Sequence, residues 1–138
     1  MVDHYTRFSC LLDVGTPNNA ARALELYNKL SELGASKEPI SESFALSIQP
    51  EHGGSNLWIR DDGNGDPESV IRFVKLCAAQ FSLTGLWGFQ YADTCSRSLV
   101  NMFGGGAHVL DLATGETVDR VGTDLWLSMI LNGGDPNA

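Results

Sequence analysis

The stretch from Asp66 to Phe81 constrains this chain most. Asp66-Pro67-Glu68 places an N-cap residue, a proline at the first helical position and an acid in the first turn. Val70, Phe73, Val74, Cys77, Ala78 and Phe81 follow at helical spacing and make one apolar face. A helix with such a face needs a partner layer, and the flanking segments read as strands.

Before it, Phe44 to Gln49 alternates, with Phe44, Leu46 and Ile48 on one face. Asn56 to Arg60 places Leu57 and Ile59 inward and Trp58 outward. Pro50 and His52-Gly53-Gly54 between them predict a hairpin. After the helix, Leu86 to Ala92 carries Trp87, Phe89 and Tyr91 on one face. At the start of the chain, Tyr5 to Val14 reads as one strand with Phe8, Cys10, Leu12 and Val14 inward. Thr16-Pro17 then opens a helix to about residue 33, with Ala20, Ala23, Leu24, Tyr27 and Leu30 as its stripe.

The order is β-α-β-β-α-β, the split β-α-β pattern of ferredoxin-like domains. The predicted fold class is therefore α+β, with a ferredoxin-like βαββαβ core and an added C-terminal β-hairpin and short helix. The hairpin is read from His108 to Leu112 and Glu116 to Val121. Residues 1–134 are expected to form one domain, with 135–138 as a frayed tail. Leu125, Trp126, Leu127, Met129, Ile130 and Leu131 make the last helix apolar nearly all round, after a Thr123-Asp124 cap. It is expected to cover the open sheet face where Trp58 points, or to form a homo-oligomer interface through residues 123–131.

The 138 residues suffice for a core without a staple. The formal net charge of −8 disfavours direct binding to nucleic-acid phosphates and to anionic membranes, and suits a basic protein partner. The three cysteines, Cys10, Cys77 and Cys95, show neither disulfide-framework nor CxxC spacing. Reduced thiols and the absence of a leader pattern or apolar run long enough to span a bilayer predict a cytoplasmic protein.

Chemistry could reside in DTCSRSLVNMFGGGAHVL, residues 93–110. Cys95 would need a base, with His52 and His108 as candidates, and oxyanion donors. Gly104, Gly105 and Gly106, with Thr94 and Ser96, could hold a small anion on backbone N–H groups. The glycines match neither a P-loop nor GxGxxG. A bend or close backbone approach is the alternative reading. The acids Asp61, Asp62, Asp66 and Glu68, beside Trp58, are candidate partner-binding residues. They fail EF-hand spacing, since Pro67 stands at the turn-glycine position and Phe73 at the bidentate-acid position. Favourable placement at a helix N-terminus is their structural reading. No short ligand spacing points to metal, and no cofactor is predicted. The aromatic strand Trp87 to Tyr91 lacks the basic signature of an RNA-binding sheet.

Trp87-Gly88-Phe89, Thr94-Cys95-Ser96 and Phe103-Gly104-Gly105-Gly106-Ala107 resemble a pattern in small uncharacterised proteins of bacteria and their mobile elements. The Leu57-Trp58-Ile59 strand and the DDGNGD loop share in the resemblance, which covers the central half of the chain. It implies a bacterial cytosolic setting with plasmid or phage cargo, and carries no activity with it. Together these readings predict a non-enzymatic, acidic, oligomeric protein-binding accessory module, for example an inhibitor of a basic nucleic-acid-binding host protein. The alternative is a small-ligand-binding protein or a cysteine-dependent enzyme centred on Cys95 and the Gly104–Gly106 segment.

Overall fold

The computed structural model describes residues 4–33, 44–61, 65–95 and 104–133, except for the side chains at positions 4, 31–33, 52 and 95. The elements run β1 (His4–Arg7), β2 (Ser9–Asp13), α1 (Pro17–Leu33), β3 (Ala45–Gln49), a short 3-10 turn (Glu51–Gly54), β4 (Asn56–Arg60), α2 (Pro67–Phe81), β5 (Leu86–Cys95), β6 (Gly104–Asp111), β7 (Glu116–Gly122) and α3 (Thr123–Leu131). The protein is α+β with two antiparallel sheets, one ordered β1-β5-β6-β7 and the other β2-β4-β3.

The single first strand expected from Tyr5 to Val14 is divided at Phe8. Asp61 is the cause. Its carboxylate accepts the Phe8 N–H at 2.9 Å, and its own N–H donates to the Phe8 carbonyl at 3.1 Å. Gly65 N–H donates to the Thr6 carbonyl at 3.1 Å. The β4–α2 connection thus takes polar groups around the break, while β1 pairs with β5 and β2 with β4.

Both sheets contribute to one core. Leu12, Leu46, Leu57 and Ile59 join Phe89, Leu110 and Leu112 beneath Val70, Ile71, Phe73, Val74, Cys77 and Ala78 of α2. Ala20 and Ala23 of α1 enter the same cluster, with Leu24, Tyr27 and Leu30 partly buried against it. Small residues on that stripe let α1 sit close to the sheet. Tyr27, Phe44 and Phe73 form an aromatic triangle with centroids 5.3–6.1 Å apart, a spacing suited to tilted and edge-on ring contacts.

The start of α2 follows from its first residues. Asp66 adopts extended backbone and accepts from Glu68 N–H at 3.1 Å and from the Ser69 hydroxyl at 3.0 Å, while Pro67 occupies a position where no N–H is needed. Ser82, at φ 54°, ends the helix in the left-handed conformation. Among the described residues, no helix is long and apolar enough to cross a membrane.

The added hairpin is longer than the sequence suggests. The strand expected from His108 begins at Gly104, so the glycine triplet is β structure, paired with Asp93, Ala92 and Tyr91 of β5. The anticipated side-chain cap of α3 is also absent. Gly122 occupies the cap position, and the Thr123 hydroxyl instead donates to the Gly105 carbonyl at 3.2 Å. Nor does α3 cover the face carrying Trp58, which stays 36% exposed; α3 lies against β6 and β7 with none of its residues buried.

Candidate interaction surface

Gly104, Gly105 and Gly106 are placed by β5 on one side and, at Gly106, by Gly122 of β7 on the other. Close approach explains two of them. Gly105 has φ +153°, and a Cβ there would overlap the Tyr91 carbonyl oxygen. A Cβ at Gly106 would overlap the Val121 carbonyl oxygen and meet the Tyr91 hydroxyl at 2.7 Å. The Asp124 carboxylate closes over Gly104. With no side chains rising from these positions, the strand forms the floor of a hollow of about 700 Å³ beside α3. Its walls are Gln90, Tyr91, Ala107, Val121, Thr123, Asp124 and Leu127.

Next to the hollow stands an apolar ridge. Leu125, Trp126, Leu127, Ile130 and Leu131 of α3 are 66%, 47%, 51%, 42% and 75% exposed. Val118 and Val121 of β7 extend it, at 54% and 46%. β7 is the outer strand of its sheet, and its register shifts opposite Val109 and Leu110, so that Val118 has no partner in the ladder. Such an irregularity, together with Glu116, Asp119 and Arg120, discourages an edge strand from simple strand addition. The exposed apolar material is thus concentrated on the helix and on an irregular edge strand.

Of the candidates for cysteine chemistry, His108 lies far along the sheet from the Cys95 backbone. Thr94 and Cys95 end β5, opposite Tyr5 and His4. The Cys95 side chain, the His52 side chain and Ser96 lie outside the described parts. His108 pairs with Phe89, six residues back along β5 from Cys95 and about 20 Å away at roughly 3.3 Å per residue. It is 6% exposed, and its Nε2 lies 2.8 Å from the Thr117 hydroxyl. Burial pushes its pKa below the usual histidine value; Glu68 opposes that shift, and Arg120 and Lys75 add to it. Burial, then Asp93 and Glu68, raise the Tyr91 hydroxyl pKa, against a lowering by Arg120.

The acidic candidates divide in the same way. Asp61 and Asp66 accept hydrogen bonds that shape the β4–α2 connection. Glu68 is exposed, and Asp62 lies outside the described residues. Trp58 donates its indole N–H to the Ser9 hydroxyl at 2.8 Å, and the Arg60 guanidinium sits 4.0 Å from the ring centroid. Among the described residues, no three or more His, Cys, Asp or Glu side chains gather as a metal site.

The close backbone approach expected as an alternative for the glycines is found at Gly105 and Gly106, but the hollow beside α3 was not anticipated. A signal was present: Gly106, His108, Leu110 and Leu112 alternate, and all four are buried. The comparisons add no relative: no family model matches the chain, and no curated protein or solved structure does so.

Proposed function

We propose that this protein is a non-enzymatic protein-binding module whose contact surface is the β7–α3 extension. The observation that carries this reading is α3 itself, which is apolar over most of its length and has no buried residue. Contiguous exposed apolar surface of several hundred Å² on a soluble chain marks an interaction site, because leaving it in water costs free energy that a partner recovers. The core beneath is read as ferredoxin-like. Strand order supports this: β5 lies beside β1, β2 beside β4 and β4 beside β3, all antiparallel, a βαββαβ sequence once β1 and β2 are taken as one divided strand. On this reading β6, β7 and α3 extend that core, with β6 contributing Leu110 to it, and the exposed β7–α3 part of the extension carries the function. An accessory role in a bacterial or mobile-element setting, as the segment resemblance implies, belongs to the same proposal.

The test is site-specific photocrosslinking in the native host or a bacterial one. A photoreactive residue in place of Leu125 is expected to form a protein adduct, whereas the same residue in place of Leu76, an exposed leucine on α2, is not. Failure of the Leu125 position to give any protein adduct overturns the reading.

A further inference from the structure

The ridge and the hollow lie side by side and share Val121 and Leu127, and this says more about the occupant. We propose that the β7–α3 surface receives a second copy of this chain in a two-fold pair, the α3 ridge of each copy seated in the hollow of the other. The inference rests on the binding-module reading above and names its partner.

Three observations favour a second copy over a different protein. The first is self-complementarity. A two-fold interface requires that a surface fit itself, so a projection and a recess must occur on the same patch. Leu125 and Leu131 project, at 66% and 75% exposure, and the glycine-floored recess of about 700 Å³ lies along the same helix, bounded by Leu127. The second is area. Seven exposed aliphatic and aromatic side chains from Val118 to Leu131 offer apolar surface on the order of 500 Å² per copy. With the polar rim that surrounds such a patch, this approaches the roughly 800 Å² per partner of a stable pair. The third is charge. Two copies of a chain with net charge −8 repel each other, yet no charged residue occurs from Leu125 to Leu131. A basic partner would instead be met by carboxylates, and the one carboxylate on α3, Asp124, is turned onto Gly104.

Sedimentation velocity of the purified full chain over a micromolar-to-millimolar dilution series tests this. The expected result is the mass of two chains at the upper end, with dissociation on dilution. Leu131→Glu removes a ridge residue, and Gln90→Arg puts a charged, longer side chain at an exposed position of the hollow wall. Each is expected to weaken the pair at least tenfold, with circular dichroism and cooperative unfolding unchanged. Leu76→Glu is expected to leave it intact. A single-chain mass throughout, a mass that grows beyond two chains, or a pair insensitive to both Leu131→Glu and Gln90→Arg overturns the proposal. If the chain stays single while a photoreactive residue at position 125 still captures another protein, the second-copy inference fails and the binding-module reading stands.

Discussion

The indole N–H of Trp87 donates to the backbone carbonyl of Leu11 at 2.8 Å, between residues 76 positions apart in the chain. The bond lies where the two sheets separate. β5 pairs with β1 over His4 to Arg7, whereas β2 pairs with β4, so Leu11 has no ladder partner on the β5 side. The Trp87 indole bridges from one sheet to the other. The ring also stacks on Phe89 at 5.3 Å, so one side chain packs along β5 and meets a backbone acceptor across the gap. Trp87→Phe keeps an aromatic ring and removes the donor. It is expected to cost about 0.5–1.5 kcal/mol, read as a lowered urea midpoint with an unchanged denaturant slope.

Glycine at 106 is required by contact rather than by conformation. Gly106→Ala would press a methyl against the Val121 carbonyl and force β6 and β7 apart where α3 begins. The expected loss is about 1–3 kcal/mol in chemical denaturation. The same change at half-buried Gly122, where a Cβ meets nothing, is expected to lose less.

Asp66→Ala removes the acceptor for Glu68 N–H and the Ser69 hydroxyl at the start of α2. A loss of about 0.5–2 kcal/mol is expected, measured by thermal or urea unfolding. Glu68→Gln, on an exposed side chain in the same turn, is expected to change stability by less.

His108 makes stability depend on pH in a definite direction. Burial holds its folded pKa below the usual 6.5, so between those two values the unfolded chain binds more protons than the folded one. Its contribution is complete above 6.5 and is lost as pH falls through the lowered folded value. The urea midpoint is expected to fall on acidification below pH 6.5, and His108→Gln to flatten that slope. A slope unchanged by the substitution would assign the effect to other groups.

Burial pushes the thiols of Cys10 and Cys77 up to about 12. Almost no thiolate is present at neutral pH, and the thiolate is the reactive form. Both are expected to react slowly with a disulfide reagent in the folded protein and at ordinary rates once it is unfolded in urea. Mass spectrometry of the modified peptides separates them from Cys95.

Much of the fold was legible because burial imposes a period. The α2 face, the Leu57 and Ile59 alternation and the Trp87, Phe89 and Tyr91 face are each visible in a short window, since each element contacts the core along one side. What escaped were features made by distant partners. The break at Phe8 depends on Asp61, far along the chain, donating and accepting at one backbone position. Likewise, nothing local distinguishes a glycine in a strand from a glycine in a turn. At Gly105 and Gly106 the deciding atoms belong to Tyr91 on β5 and to Val121 on β7.

The sequence by itself therefore determined the succession of helices and strands apart from the break at Phe8, the apolar faces and the capping of α2, because these depend on neighbours within a few residues. It also marked α3 as a helix with too much apolar surface. Only the tertiary structure decided that this surface stays exposed, that the glycines floor a hollow beside it, and that His108 and Cys95 belong to different parts of the sheet. Those outcomes depend on strand register, and register is set by pairing between segments that the chain itself keeps far apart.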